Sequence, residues 1–586
     1  ILGVVEFNFM HPEYAYLYSL SVLFVLFIVA RKVIHSPFGV SLRAIKGNAP
    51  FGNKQWQGIK SVRVDGTVPS AQLKDGANTV EFEFMTNASI SATPARMYLN
   101  RISIAYQREL RTSGNALLFT ESAGGQREMR IAGFTTNDPA GTLVYNLSNP
   151  RVPVRIAIGT GDVAADGGFY TVKVGSSHAA GTEFYATTTA NAAAVKSLSK
   201  YRAADLRPAN GRGAWLAIAH PDLLAAAQQL AAHRAAASDL STHVVAIGDV
   251  INQYGYGLPL PEAIRNFLRY AVANWTEGPR YVVLFGDATV NPRNLDCPLQ
   301  SVDPGGCSTW NASEANMLLT DLPFVDRFNG MIPSDFTFSL LSGNDLLPDL
   351  AIGRIPAKTP VEAAAVVAKI VTYETQRSSA PQGWQYRLLF VADNADGGGN
   401  FCAENQQVAG VIPATYSKTH LCLAEDTGAA KTELRLQMSA QLVTGLSVFN
   451  YRGHGSVSNW GNGILESTNL DFWLNDGKPV VLISADCLDG FFTWPNRPGL
   501  GEEFLKKLPN RGSAAHWSSA GLGYTVEHTV LHEGFYNAIF RGNRTAAGDA
   551  VNYAKVQYLA SNGHPSEAYS FNLLGDPAMK VLNPGT

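Results

Sequence analysis

The sequence predicts an α/β protein whose parallel sheets follow a β-sandwich and a short apolar N-terminal segment. From about residue 205, apolar runs of strand length alternate with helical patterns, as in the strand-like residues 215–220 and the Ala-rich residues 221–236. This alternation is typical of parallel sheets covered by helices on both faces. In the region before it, strands of alternating polarity are separated by turn residues, which is typical of a sandwich. The predicted regions are residues 1–48, the sandwich 50–204, and two α/β subdomains, 205–384 and 385–586.

The composition is that of a globular protein without a nucleic-acid partner. The chain has 586 residues, enough for about three or four domains, and its formal net charge is −2. Only 16% of the residues are charged, and no cluster of lysines and arginines of the kind that follows phosphates is present.

The N-terminal segment has the character of a membrane span. Residues 14–30 are uncharged and apolar, at the lower length limit for a transmembrane helix. Glu6 and Glu13 precede this run and basic residues follow it, which is the reverse of a signal peptide and places the following chain in the cytoplasm. Residues 14–48 resemble a transmembrane segment and loop of branched-chain amino-acid ABC transporter permeases. We therefore expect residues 1–48 to be a foreign fragment, joined by gene fusion or misassembly, with no transport function.

The sandwich region offers no site of its own. It carries no cluster of His, Cys or acidic side chains at the spacing of metal or catalytic groups. We expect it to bind or to act as a spacer.

Two strands of the last region end in residues that can do chemistry together. Residues 446–456 are an apolar run that ends on His454 between two glycines, and residues 479–492 contain a second run that ends near Cys487. Because parallel strands bring their carboxyl ends to one edge, His454 and Cys487 can meet there as base and nucleophile. The alternatives are a buried Cys that packs as a small apolar residue and a loop His with a structural hydrogen bond.

The cysteine spacing leaves Cys487 unpaired. Cys297 with Cys307, and Cys402 with Cys422, are predicted to close local loops as disulfides, each worth about 3 kcal/mol. Zinc is the alternative, but no Cys-x-x-Cys or paired His supports it. Two disulfides imply an oxidising compartment, which conflicts with the orientation of the apolar segment.

The residues around His454 and Cys487 resemble the gingipain-type cysteine peptidases, family C25. The resemblance is carried by NYRGHGSVSNWG (450–461) and ISADCLDGFF (483–492), and by further segments in the same order from about residue 50 to residue 582. It implies a caspase-like fold, with His454 as general base and Cys487 as nucleophile. It implies no required cofactor, with calcium as an optional structural ion.

Several further site residues can be proposed around this pair. The backbone N–H groups of Gly455 and Cys487 are the expected oxyanion donors, and N–H groups of a turn or helix after Cys487 are expected to favour its thiolate. Asp393 and Glu404 are alternatives for an acid that orients the imidazole, and either could instead cap a helix or bind calcium.

Two tryptophans and two aspartates complete the predicted site. Trp460 and Trp517 are candidates for a substrate subsite, with core packing the alternative for Trp517. Asp486 and Asp489 flank the nucleophile and are expected to point away or to be paired, because nearby charge would raise the pKa of the thiol. No metal site is expected.

These observations predict a cysteine endopeptidase that acts on proteins or peptides outside the cytoplasm. A membrane anchor through residues 14–30 is expected only if that segment is genuine. The alternatives are a sortase-like transpeptidase that uses the same thioester and a non-catalytic surface-binding protein. Cleavage is not expected to be restricted to Arg or Lys, and Glu404 is the nearest candidate for an acid that would impose such a restriction.

Overall fold

The chain forms two compact units, one drawn from residues 1–202 and one that consists mainly of residues 203–586. The computed structural model describes strands between residues 2 and 99, together with residues 63–69, 109–194, 204–207, 213–292, 316–326, 330–378, 383–495, 497–506 and 510–581.

The first unit consists of antiparallel strands. They are, in chain order, β1 (Leu2–Asn8), β2 (Ala30–Arg31), β3 (Val40–Lys46), β4 (Ala49–Trp56), β5 (Ala77–Thr86), β6 (Tyr98–Leu99), β7 (Leu117–Glu121), β8 (Gly125–Phe134), β9 (Thr142–Asn146), β10 (Val154–Ile156), β11 (Val163–Asp166), β12 (Phe169–His178) and β13 (Thr182–Thr188). Sheets of order β10-β9-β13-β7 and β11-β12-β8 contribute to one hydrophobic core, in which Phe119 and Phe184 of the first sheet join Ile131 and Val172 of the second. A further sheet has the order β1-β5-β3-β4.

The predicted membrane span cannot be checked directly, because residues 14–29 lie outside the described residues. Strands β1 and β3, on either side of the span, both pair with β5. In the part of the chain that the structure describes, no helix has the length and apolar character needed to cross a bilayer.

The second unit alternates strands and helices. Its strands are β14 (Trp215–Ala219), β15 (Thr242–Ala246), β16 (Tyr281–Phe285), β17 (Phe324–Asp326), β18 (Gly330–Met331), β19 (Ala351–Ile355), β20 (Arg387–Ala392), β21 (Ser417–Cys422), β22 (Val448–Arg452), β23 (Gly455–Ser456), β24 (Asn459–Trp460), β25 (Leu465–Glu466), β26 (Val480–Ala485), β27 (Ser513–Ser519) and β28 (Phe571–Leu574). Its helices are α1 (Leu224–Ser238), α2 (Ile247–Tyr254), α3 (Pro261–Asn274), α4 (Pro360–Ser378), α5 (Phe401–Ala409), α6 (Gly428–Thr444), α7 (Leu500–Lys506), α8 (Thr525–Phe540), α9 (Ala547–Ala560) and α10 (Pro565–Ser570).

One ten-stranded sheet runs through both predicted α/β subdomains. Its order is β15-β14-β16-β19-β28-β27-β26-β22-β20-β21. The last strand, β28, lies between the two halves, parallel to β19 and antiparallel to β27. The expectation of a separate second sheet is therefore wrong, because the C-terminal strand returns to the middle and joins the two halves.

Strand β26 contributes to cores on both faces of the sheet. Val481 and Ile483 of β26 belong to the cluster that includes residues of α4 and α8, whereas Val480 and Leu482 belong to the cluster that includes residues of α6. Successive side chains of a strand point to opposite faces, so a strand covered on both faces needs an unbroken apolar run. Strand β26 meets this requirement, whereas in β22 the buried Asn450 and Arg452 are hydrogen-bonded to Asn405 and Glu404.

Candidate active site

The sheet places His454 and Cys487 at the ends of neighbouring parallel strands. Strands β22 and β26 pair in a register that sets Arg452 opposite Ala485, so each of the two residues lies two positions beyond a paired strand end. The N–H of Gly453 continues the ladder by donating to the carbonyl of Ala485, at 3.2 Å. The shared edge predicted from the sequence is confirmed.

The glycines on either side of His454 are required by close packing. A Cβ atom added at Gly455 would lie 2.7 Å from the carbonyl oxygen of Cys487 and would overlap the carboxyl group of Asp486. A Cβ atom added at Gly453 would overlap the side chain of Asp393. Only glycine permits such approaches, so the His454 loop lies directly against the Cys487 segment.

The imidazole of His454 is held by Asp396, a residue that the sequence analysis did not propose. Atom Nε2 of His454 lies 2.8 Å from Oδ2 of Asp396, and the ring meets the edge of Phe401 with 5.3 Å between centroids. A backbone hydrogen bond from Gly398, reinforced by the His454 contact, holds the pKa of Asp396 below its usual range. An ionised carboxylate can only accept, so Nε2 carries a proton, and in the neutral imidazole Nδ1 is then the atom with a free lone pair.

The two acids proposed for this role act elsewhere. Asp393 accepts the backbone N–H groups of His454, at 3.2 Å, and of Asn394, at 2.9 Å, and therefore fixes the loop rather than the ring. Glu404 accepts from the buried guanidinium of Arg452, at 3.1 Å, and from the hydroxyl of Thr525. The prediction that Glu404 orients the imidazole is wrong, because its carboxylate is needed to balance a buried cation.

The thiol of Cys487 is partly exposed and protonated at neutral pH. It is the free cysteine of the described residues, and its Sγ lies 4.0 Å from the carbonyl oxygen of Gly523. Burial, assisted by the negative charges of Glu567, Asp326 and Asp489 and opposed by a backbone hydrogen bond with Gly523, raises its pKa to about 11. The expected stabilisation of the thiolate is wrong for the free site, because burial and the nearby acids outweigh the hydrogen bond that opposes them.

The chain turns sharply after Cys487. Leu488 adopts φ of 69°, a left-handed conformation that a leucine rarely adopts. Its N–H donates to the carbonyl of Gly521 at 3.2 Å, which helps to hold it there. Strained residues of this kind are found where the surrounding structure dictates the direction of a neighbouring side chain.

The two acids that flank Cys487 differ in ionisation. Asp489 is fully buried, accepts from Nε1 of Trp460 at 3.0 Å and lies 3.4 Å from Nε2 of His516. Burial opposes its ionisation, but His516 and its hydrogen bonds lower its pKa. Burial, together with the nearby Asp489 and Cys487, raises the pKa of Asp486 well above its usual range. Asp489 is thus paired as expected, whereas the surroundings of Asp486 disfavour its ionised form.

Neither tryptophan proposed for a substrate subsite reaches solvent. The ring of Trp460 stacks on Tyr451, with 4.3 Å between centroids, in the core beneath the sheet. Trp517 stacks against His532 and Phe535 in the core on the opposite face. Both subsite predictions are wrong, because the two rings belong to apolar cores that hold the sheet together.

The cysteine prediction is confirmed for one pair. Cys402 and Cys422 form a disulfide, with their Cα atoms 5.7 Å apart, which joins the start of α5 to the end of the edge strand β21. Cys297 and Cys307 lie outside the described residues. In the described ranges, no group of three or more His, Cys, Asp or Glu residues is arranged to hold a metal ion.

The chain is similar to known peptidases. The model of peptidase family C25 matches residues 209–582. Gingipain R2 of Porphyromonas gingivalis is 22% identical over 268 residues, which are 43% of this chain and 35% of that protein. Lys-gingipain of the same organism is 24% identical over 226 residues, which are 39% of this chain and 13% of that protein. The chain thus spans about a third or less of the length of these relatives.

A solved structure shares the fold. The complex of the pro- and mature domains of RgpB from Porphyromonas gingivalis aligns with a TM-score of 0.50 and 16% identity, over 64% of this chain and 81% of that chain. The family match begins at residue 209, so the permease resemblance of residues 1–48 stays a prediction. Because the family model covers more than half of the chain, including His454 and Cys487, this protein belongs to peptidase family C25.

Proposed function

We propose that this protein is a cysteine endopeptidase in which Cys487 attacks the peptide carbonyl and His454 is the general base. The observation that carries the proposal is the register of β22 and β26, which brings the two residues to one edge of the sheet in a chain of a peptidase family. The contact that Gly455 makes with the Cys487 carbonyl supports it further.

The reaction starts from a thiol rather than a thiolate. As Sγ of Cys487 attacks the carbonyl carbon, its proton passes to Nδ1 of His454, and Asp396 stabilises the resulting imidazolium. The backbone N–H groups of Gly455 and Cys487 receive the oxyanion. The C–N bond then breaks, and His454 returns the proton to the leaving amine. Water hydrolyses the Cys487 thioester and restores the thiol.

Asp396 is assigned as the positioning residue for this base. Its hydrogen bond to Nε2 selects the tautomer in which Nδ1 can accept a proton. A carboxylate in this position also favours the positive charge that His454 acquires during attack. Asp393 would support the same arrangement indirectly, through the backbone of the loop.

We assign the enzyme to an oxidising compartment outside the cytoplasm. The disulfide between Cys402 and Cys422 supports this assignment, because such bonds are rare in reducing compartments. Protein or peptide substrates follow from the family. Calcium as a structural ion, and an anchor through residues 14–30, remain predictions.

The test replaces Cys487 and follows both cleavage and folding. Cys487→Ala should abolish cleavage of a mixed peptide library, while the melting temperature stays close to that of the parent protein. Glu433→Gln, a change of an exposed polar side chain on α6, is the control for handling and purity. Retained cleavage by the Cys487→Ala protein would contradict the proposal. Added amine nucleophiles distinguish hydrolysis from transpeptidation. A transpeptidase would transfer the acyl group to the amine faster than to water, so amide products would form faster than free acids.

A further inference from the structure

We propose that the surface beside Cys487 binds an apolar side chain, so that cleavage occurs next to Leu, Phe or similar residues rather than next to Arg or Lys. The inference rests on the proposed function and names the substrate class of that site.

The first observation is a small apolar cluster at the edge of the sheet. It is separate from the large cores and consists of Val457, Leu488, Phe491, Trp494 and Ala520. These residues follow β22, β26 and β27, so they come from the loops that carry His454 and Cys487 and from the end of the next strand. Leu488 and Trp494 are partly exposed, which leaves apolar surface available directly beside the nucleophile.

The second observation is a pair of exposed side chains just after Gly523, the residue whose carbonyl contacts Cys487. The carbonyl of Gly523 lies 4.0 Å from Sγ, and the chain continues from there into the N-terminus of α8. Tyr524 is 53% exposed and Val526 is 69% exposed at this position. Large apolar side chains in solvent next to a reactive group are the usual feature of a surface that a ligand covers.

The third observation is that the nearby carboxylates already have partners. Of the acids whose charge acts on Cys487, Asp489 is bound by Trp460 and His516, and Glu567 lies 3.2 Å from Nε2 of His528. Asp326 accepts the N–H of Leu522 at 3.2 Å. All three carboxylates belong to residues that are at most 2% exposed, so a substrate side chain that enters from solvent does not contact them.

A positive charge close to the cluster also disfavours a cationic side chain of the substrate. Arg497 donates to the hydroxyl of Ser458 at 2.8 Å, immediately after Val457. Glu404, the acid that the sequence offered for a cationic substrate, is bound to Arg452 instead. The acids near the site are thus buried or bound to other groups, which leaves apolar contact as the source of selectivity.

The test is cleavage profiling of an equimolar peptide library by mass spectrometry. We expect the residues adjoining the scissile bond to be enriched in Leu, Phe and Met on one side, with kcat/KM about tenfold or more above matched Arg and Lys peptides. Trp494→Ala should lower kcat/KM for Phe peptides more than for Ala peptides. Leu436→Ala, at a leucine on α6 that is 52% exposed, is the matched control and should change neither.

The outcomes separate this inference from the proposed function. Cleavage that depends on Cys487 but occurs only next to Arg or Lys would overturn the inference and leave the peptidase assignment intact. An equal loss for Phe and Ala peptides in Trp494→Ala, with the rate of Cys487 alkylation unchanged, would also overturn it. Absence of any cleavage that depends on Cys487 would overturn both.

Discussion

The hydrogen bond between Asp396 and His454 gives the sharpest test of the site. Asp396→Asn keeps the shape of the side chain but replaces a carboxylate with a neutral amide. The amide can turn its NH₂ group toward Nε2, which would favour the tautomer that carries its proton on Nδ1 and has no base facing the thiol. The expected result is a lower kcat with little change in the melting temperature.

The exposure of both side chains sets the size of the effect. In a buried triad, a change of this kind lowers kcat by about 10⁴. Here the side chain of His454 is 51% exposed and that of Asp396 is 39% exposed, so water can replace part of the lost interaction. We therefore expect a 10- to 50-fold decrease, which corresponds to about 1.4–2.3 kcal/mol of transition-state stabilisation.

The assay is kcat and KM for a cleaved peptide across the pH range, with melting curves for each variant. Asp396→Glu should recover part of the activity, because it restores an anionic acceptor. Glu433→Gln, a change of the same kind on the exposed face of α6, is the control. If Asp396→Asn matched this control while Asp393→Asn lost activity with unchanged stability, the assignment of Asp396 would be refuted.

Three further predictions concern the nucleophile, its glycine neighbour and the disulfide. The rate of alkylation of Cys487 by iodoacetamide should rise with pH up to about 11, and at pH 8 it should be about a hundredfold lower than the rate for an ordinary thiol. A rate that reaches its plateau near neutral pH would instead show a preformed thiolate. Gly455→Ala should abolish cleavage, since its Cβ would lie 2.7 Å from the Cys487 carbonyl oxygen, and an active variant with unchanged kcat would contradict the close packing. Replacing Cys402 and Cys422 by Ser should lower the free energy of unfolding by about 3 kcal/mol, measured by urea titration, and an unchanged midpoint would show that the bond adds nothing.

The pH dependence of stability near Cys487 follows from the same raised pKa. The folded protein keeps the proton to about pH 11, whereas an ordinary thiol releases it near pH 9.0. The folded state therefore binds more protons than the unfolded state between these values, and the contribution of this group is lost as the pH rises from about 9. Cys487→Ala should remove this part of the decrease in stability at alkaline pH.

The sequence alone determined the layout of the catalytic edge. Largely apolar runs of strand length before His454 and Cys487 indicate parallel strands buried on both faces, and such strands end at one edge. The glycines beside His454 indicated close approach, and the spacing of the cysteines predicted the bond between Cys402 and Cys422. These are local patterns, because the period of a strand and the length of a loop depend on neighbouring residues.

Only the tertiary structure decided which side chains meet. Asp393 and Asp396 are three residues apart in the same turn, and only the folded loop directs Asp396 to the imidazole while Asp393 binds the backbone. Trp460 looked like an edge residue, but it folds back onto Tyr451 beneath the sheet. Glu404 was a candidate for the acid that orients the imidazole, but its carboxylate forms an ion pair with Arg452.

The tertiary structure also decided the pKa of Cys487 and the way in which one sheet joins the two halves of the second unit. The pKa of Cys487 depends on burial and on acids as distant in sequence as Asp326 and Glu567. The position of β28 between β19 and β27 requires a C-terminal strand to pair with strands formed much earlier in the chain. Both depend on contacts between residues far apart in sequence, which local periodicity does not encode; the three-dimensional packing of the strands and loops determines them.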